Sequence, residues 1–311
     1  MKSKKLVAGF TVLAFSALVL GACSADKKDD SAASSSAKTE QTTASSSAAK
    51  EEAAKVIAGG EMKDGTYKLE EKNYSNGYRA TFEITVKDGK ITESKYDNIN
   101  EAGKSKTEDA DYNKQMKDKA GISPEEFIPK FNEELVAAQD PSSMDVVTGA
   151  THSFESFQNY AQQLIQAAQA GKTDTIEIDN GAELKDGTYA LKEKNDKNGY
   201  HVDFSIVVKD GKITESKYDN LNADGKSKKD DADYEKNMKD KSGVGPKEYI
   251  EDLNKNFLAA MGKEDGSPAD MDVVTGATHS SHTFIIYAEQ LINAAEKGDT
   301  TPIEVDNIVT E

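Results

Sequence analysis

Residues 87–98 read KDGKITESKYDN, and residues 209–220 read the same twelve letters again. Around Asp88-Gly89, a dipeptide suited to the tight turn of a β-hairpin, apolar and polar residues alternate, so each tract is a strand, a turn and a strand. The repetition extends outward on both sides. Lys63-Asp64-Gly65-Thr66-Tyr67 returns as Lys185-Asp186-Gly187-Thr188-Tyr189, and Asp109-Ala110-Asp111-Tyr112 returns as Asp231-Ala232-Asp233-Tyr234, both at an offset of 122. Residues 144–153, MDVVTGATHS, return as 271–280 at an offset of 127, because the second copy has a longer loop around Lys263–Pro268. Each copy spans about 120 residues, enough for an independent domain and too long for a solenoid unit.

Within one copy the alternation predicts strands over Gly65–Glu71, Tyr78–Lys87 and Lys90–Asp97. A polar helical stretch follows around Tyr112–Lys119. A clearer helix begins after Ser123, with Pro124 in its first turn and Glu126 completing a capping box, and stops by Ala138, before Asp140-Pro141. A second amphipathic helix starts near His152–Ser153, carries Phe157, Tyr160, Ala161, Leu164, Ile165 and Ala168 on one face, and ends at Gly171. A last strand, Thr175–Ile178, has its counterpart in Pro302–Val305. Antiparallel strands followed by helices predict an α+β fold, here as two tandem repeats at 60–180 and 181–311.

The chain has 311 residues, a net charge of −17 and 36% hydrophobic residues, below the ~45–50% of an average globular chain, so part of it is expected not to pack. That part is the stretch from Ser24 to about Ala58, rich in Ser, Ala, Lys, Glu and Thr, which reads as a disordered tether; its end, Ala48–Ala58, has some helical character. About 35 such residues span ~30–35 Å on average. The acidic balance argues against nucleic acid as a partner. One Cys excludes an internal disulfide, an iron–sulfur cluster and a c-type haem, so a redox role requires an organic cofactor or a metal held through oxygen and nitrogen.

Residues 1–22 combine Lys2, Lys4 and Lys5 with an apolar run from Leu6 to Leu20, as a secretory signal does. The ending Leu20-Gly21-Ala22-Cys23 resembles the lipobox of bacterial lipoproteins, which implies lipidation of Cys23 and anchoring on the outer face of the cell membrane. Residues 23–59 would then be the lipidated Cys and its tether. Removing residues 1–22 takes away three lysines and no acid, leaving −20, a surface that anionic headgroups repel. The lipid would therefore be the membrane contact.

Asp145-Val146-Val147-Thr148-Gly149-Ala150-Thr151-His152 lies between a Pro-containing loop and the start of an amphipathic helix. Free N–H groups and the helix dipole favour a phosphate there, and Gly149 and Ala150 clear space around two hydroxyls. The same residues read equally as a plain helix entry capped by Thr151 or Ser153. Asp145–Thr151, and again Asp272, Thr275, Gly276, Ala277 and Thr278, resembles the D-x-x-[ST]-G-A-[ST] motif of the FMN-binding domain family, whose relatives include the flavin-bearing subunits of the sodium-pumping NADH:quinone oxidoreductase. The resemblance implies FMN joined through a phosphoester to Thr151 and to Thr278 by a Mg²⁺-dependent flavin transferase that uses FAD. With the lipobox and tether, the layout resembles flavinylated lipoproteins of Gram-positive bacteria implicated in extracellular electron transfer. That implies a carrier taking electrons from a membrane quinone reductase or a quinol or flavin pool to ferric iron, free flavins or a partner reductase. It also implies a pheromone cut from the signal peptide at Phe15–Ala22. The alternative is a surface binding lipoprotein with no redox role.

Ring platforms for such a flavin would come from Tyr67, Tyr78, Phe82, Tyr96 and their counterparts Tyr189, Tyr200, Phe204, Tyr218, which serve equally as sheet core. Two flavins in such similar settings are expected to have similar potentials. His152 and His279 follow the acceptor threonines and suit a phosphate or a helix cap. His279 and His282 are one turn apart, but the first copy has Glu155 where the second has His282, which argues against a metal. Asp109, Asp111, Asp230, Asp231 and Asp233 lack the spacing of an EF-hand loop and read as a solvated charged face.

Overall fold

The computed structural model describes residues 55–59 and 61–310. The signal, Cys23 and most of the predicted tether lie outside the described residues. The described residues fall within one compact unit, 53–311. That unit contains both repeats.

The first repeat is built from β2 (Gly65–Glu71), β3 (Arg79–Lys87) and β4 (Lys90–Ile99), helices α1 (Ala110–Ala120), α2 (Pro124–Ala138) and α3 (Thr151–Ala170), and β5 (Ile176–Ile178). β2, β3 and β4 form the expected antiparallel meander. β5 returns beside β2 in parallel, giving the order β4-β3-β2-β5, so the sheet is antiparallel with one parallel edge. The second repeat follows the same plan with β6 (Gly187–Glu193), β7 (His201–Lys209), β8 (Lys212–Leu221), α4 (Ala232–Ser242), α5 (Pro246–Met261), α6 (Thr278–Lys297) and β9 (Ile303–Val305).

Local chemistry explains these elements. Asp88 and Gly89 both have positive φ, at 52° and 70°, as the two-residue turn between right-twisted strands requires. Ser123 and Glu126 close the predicted capping box on α2. Asn132 on α2 accepts from the Tyr96 N–H at 2.7 Å and donates to its carbonyl at 3.0 Å, so a side-chain amide covers part of the open edge of β4; Asn254 does the same for Tyr218. Each repeat has its own core. Phe82 stacks on Phe157 with centroids 4.9 Å apart, and Phe204 meets Phe284 at 4.6 Å. Every residue predicted for the apolar face of α3 is buried.

The two repeats meet along α3 and α6. Gln166 and Gln290 exchange hydrogen bonds at 2.7 and 3.2 Å, while Asn159 and Gln163 both donate to Asn293, at 2.8 and 3.0 Å. Positions rising along α3 meet positions falling along α6, so the helices run antiparallel. Because Gln163 corresponds to Gln290 and Gln166 to Asn293, an approximate two-fold axis relates the repeats. This packing explains why Asn159 and Gln162 are buried outside the apolar stripe of α3, while Gln158 is held within its own repeat by donating to the Pro141 carbonyl at 2.6 Å.

The tether prediction needs a correction at its end. Val56–Ala58 is neither coil nor helix but a strand, β1, antiparallel to β10 (Val309–Thr310) at the far end of the chain. Gly59, at φ 101°, lets the two backbones approach so closely that a Cβ would overlap Ile308.

Candidate functional site

Met144 and Val147 are buried and pin the loop ahead of α3, leaving Asp145 and Val146 exposed. Thr148 is exposed and Gly149 turns the chain at φ 85°. A Cβ on Gly149 would overlap the carbonyl oxygen of Ala120, and one on Gly276 would overlap that of Ser242. Glycine is therefore needed for conformation and for close approach together. Ala150, 3% exposed, tucks its methyl into the core and closes the turn by donating to the Val147 carbonyl at 3.1 Å.

The helix begins one residue earlier than predicted. Its N-cap is Ala150, not Thr151 or Ser153, and no side chain caps it. Thr151 is the first helical residue and is exposed, as is Thr278 in the second copy, where Ala277 holds the cap position. A methyl cannot accept a hydrogen bond, so the first-turn N–H groups stay available to an outside acceptor such as a phosphate. The tiny residues thus serve two purposes: they allow the buried turn and they leave the hydroxyl free.

The copies support the turn differently. Ser281, fully buried, accepts from the Val274 N–H at 3.1 Å and donates to the Ala277 carbonyl at 3.1 Å. Phe154 stands at that position in the first copy and packs into its core. One turn into each helix the contrast sharpens. Glu155, 8% exposed, has an Oε2 with no hydrogen-bond partner among the described residues. Burial, with Asp270 nearby, pushes its carboxyl up to about 7. Its counterpart His282 is half-buried, and loss of solvent lowers its affinity for a proton.

A cavity of about 180 Å³ opens beside Thr278, with His279 and Ser280 on its rim and Tyr200, Tyr218, Lys228 and Tyr287 among its lining residues. Of the predicted ring platforms, Tyr67, Phe82, Tyr96, Tyr189, Phe204 and Tyr218 are core residues, though Tyr218 also reaches this cavity. Lys228 is absent from the sequence-derived candidates. Its ammonium lies 5.1 Å from the Tyr200 ring and 4.1 Å from the Tyr234 ring; Lys106 stands likewise at 5.1 and 4.2 Å from Tyr78 and Tyr112. The signal was the exact repetition of Gly103-Lys104-Ser105-Lys106 as Gly225-Lys226-Ser227-Lys228.

The acidic cluster is partly structural. Asp109 and Asp231 cap α1 and α4 and accept from the Tyr78 and Tyr200 hydroxyls at 2.6 and 2.7 Å, which pushes both phenols up to about 12. Asp111, Asp230 and Asp233 are exposed. His152 does not cap its helix; its Nε2 lies 3.7 Å from Asp270 of the other repeat. The described residues contain no group of three or more ligands arranged for a metal ion, and no helix among them is long and apolar enough to cross a membrane.

Two segments, 77–166 and 199–293, match the family described as FMN-binding domain. Over 116 residues the chain is 34% identical to the 15 kDa lipoprotein of Treponema pallidum, covering 37% of this chain and 82% of that protein. Among solved structures, a Clostridium perfringens protein is 40% identical with a TM-score of 0.36, over 38% of this chain and 97% of that one. A Clostridium thermocellum protein solved in solution is 26% identical with a TM-score of 0.25, over 35% and 93%.

Proposed function

The chain belongs to the FMN-binding domain family, and from that premise we propose that it is a lipid-anchored electron carrier with one FMN esterified to Thr151 and one to Thr278. The observation that carries this reading is the uncapped helix start: an exposed threonine hydroxyl stands on free N–H groups, above a glycine turn that admits no side chain. These residues fit an FMN phosphate. The helix N–H groups would hold its oxygens, and Thr151 or Thr278 would supply the ester oxygen. In the second copy the cavity would take the ring, with Lys228 offering positive charge. When bound, the isoalloxazine supplies reversible uptake of electrons and protons. The chain's own residues orient it and limit its exposure to water.

Attachment follows from exposure. A flavin transferase must bring its active site around the hydroxyl, and Thr151 and Thr278 each lead a helix from the surface. Esterification transfers the FMN moiety of FAD to the threonine oxygen and releases AMP. The 15 kDa lipoprotein relative and the Cys23 lipobox support anchoring on the outer face of the membrane. There the carrier would meet a quinone reductase or quinol pool on one side, and ferric iron, flavins or reductases on the other. A covalent link keeps the cofactor from washing away.

The test is mass spectrometry of mature protein co-expressed with a flavin transferase. The expected gain is one FMN minus water per repeat. Thr151→Ala and Thr278→Ala should each remove one increment, and the double substitution both. Unchanged, colourless protein in the presence of an active transferase would leave a non-redox binding lipoprotein as the reading.

A further inference from the structure

The cavity beside Thr278 is not built by one repeat. Tyr200, Tyr218, Lys228 and Tyr287 come from the second copy, but Asp140, Ser142 and Gln162 come from the first. Gln162, 8% exposed, reaches it from α3. At the offset of 127, Gln162 corresponds to Glu289 on α6. The two-fold packing of α3 on α6 requires Glu289 to enter the first repeat where Gln162 enters the second. It does: Glu289 is bound by the Asn159 side chain and lies in the electrostatic field of Glu155 and Glu71, while Tyr96 and Tyr160 feel its charge in turn. Glu71, Tyr96 and Tyr160 are the counterparts of Glu193, Tyr218 and Tyr287, which line the cavity with Gln162.

We propose that the two flavin sites exchange walls, Gln162 closing the site of Thr278 and Glu289 that of Thr151, and that an acid in place of the amide gives the flavin on Thr151 a lower and pH-dependent potential. The inference rests on flavin attachment at both threonines. Its physical basis is charge: reduction adds electrons to the ring, and an ionised carboxylate beside it opposes them. A neutral amide does not.

The surroundings reinforce the asymmetry. Facing Glu289 are Glu71 from β2, Tyr96 from β4, and Glu155, Asn159 and Tyr160 from α3, with Glu296 on its own helix. Asp270, near Glu155, has His152 as its neighbour across the repeats. Burial first, then Glu155, pushes the Glu289 carboxyl up to about 8. In the second site Lys197 lines the cavity, whereas Ser75 holds its place in the first. The aromatic and lysine frame and the Glu71/Glu193 carboxylate are shared; Glu289 and Glu155 belong to the first site alone, and Asp140 and Lys197 to the second alone.

The experiment uses the mature chain, loaded by a co-expressed transferase, with Thr278→Ala or Thr151→Ala leaving one flavin at a time. Spectroelectrochemical titration at pH 6 and pH 9 should show the Thr151 flavin falling relative to the Thr278 flavin as pH rises. The expected size is about a tenfold change in the reduced-to-oxidised ratio at fixed potential, or ~30 mV for a two-electron couple. Glu289→Gln should reduce this relative shift, with Glu155→Gln added to it removing the remainder, and Gln162→Glu should install one at Thr278. A Glu289→Gln effect confined to the Thr278 flavin means the walls are not exchanged and overturns the proposal; so does the absence of a shift at either flavin. Unloaded protein gives a second reading. There, Glu289→Gln should gain stability over the parent at pH 9 but not at pH 4, and equal behaviour at both overturns the placement of the acid against the first repeat. Protein whose mass shows no FMN fails at the attachment step, which separates that failure from this one.

Discussion

The two repeats carry identical tracts at 87–98 and 209–220, and again at 144–153 and 271–280, yet they diverge in the helix that follows the second pair. Phe154, Glu155, Gln158, Asn159 and Gln162 become Ser281, His282, Ile285, Ile286 and Glu289. The turn that presents the threonine is kept, while the helix face beneath it has changed. That division shows what each part is for. The turn tolerates no added atom, because Gly149 and Gly276 sit against backbone carbonyls. Part of that face, including Asn159 and Gln162, meets the other repeat, while Phe154 and Ser281 serve their own.

The equivalence of the two cores can be tested with the largest expected effect. Phe157→Ala and Phe284→Ala each delete a fully buried ring and should each cost about 3–5 kcal/mol, read by denaturant unfolding. A much smaller loss in one copy would break the symmetry of the cores. Next, Gly149→Ala and Gly276→Ala force a methyl into a carbonyl at positive φ and should each cost about 2–3 kcal/mol, with loss of flavinylation in the altered copy alone.

The pH dependence should separate the repeats. Glu155 has a folded value near 7, above that of an unfolded glutamate at about 4.3. The folded state therefore holds a proton that the unfolded state has lost, and stability falls as pH rises from about 4.3 to about 7. Glu155→Gln should be more stable than the parent at pH 8, by about 3–4 kcal/mol, and equal to it near pH 4. His282 runs the other way: its lowered value means the unfolded state binds the proton first, so stability is lost as pH falls below about 6.5. His282→Gln should remove that acid-side loss. A smaller effect tests the seam, where Asn293→Ala deprives Asn159 and Gln163 of their acceptor; the cost should be about 1–2 kcal/mol, with the unfolding transition broadening as the repeats uncouple.

Much of the fold was legible because its signals are local. The Asp-Gly turn, the Ser123–Glu126 capping box and the apolar stripe of α3 depend on neighbours in sequence, and all three are present in the structure. The start of α3 was misplaced because hydroxyl residues usually cap helices, whereas here a buried alanine holds the cap position and frees the threonine. The burial of Glu155 and Gln162 has no local signal, since it comes from the packing of the other repeat. Lys106 and Lys228 were hidden in a charged run for a related reason: the Tyr78 and Tyr200 rings they cover are brought to them by the sheet, beside the local Tyr112 and Tyr234. Similar potentials are expected from the matching motifs alone; the proposed exchange of walls would separate them.

The pairing of β1 with β10 brings the beginning and the end of the described chain to one place. Tension applied at residue 55 is therefore met first by a short two-stranded clasp between the termini, before it reaches either sheet. Opening that clasp releases the last strand and leaves both cores intact, so the clasp acts as a mechanical fuse. Joining the two ends covalently would close the path through both repeats into a ring, with little change to either fold.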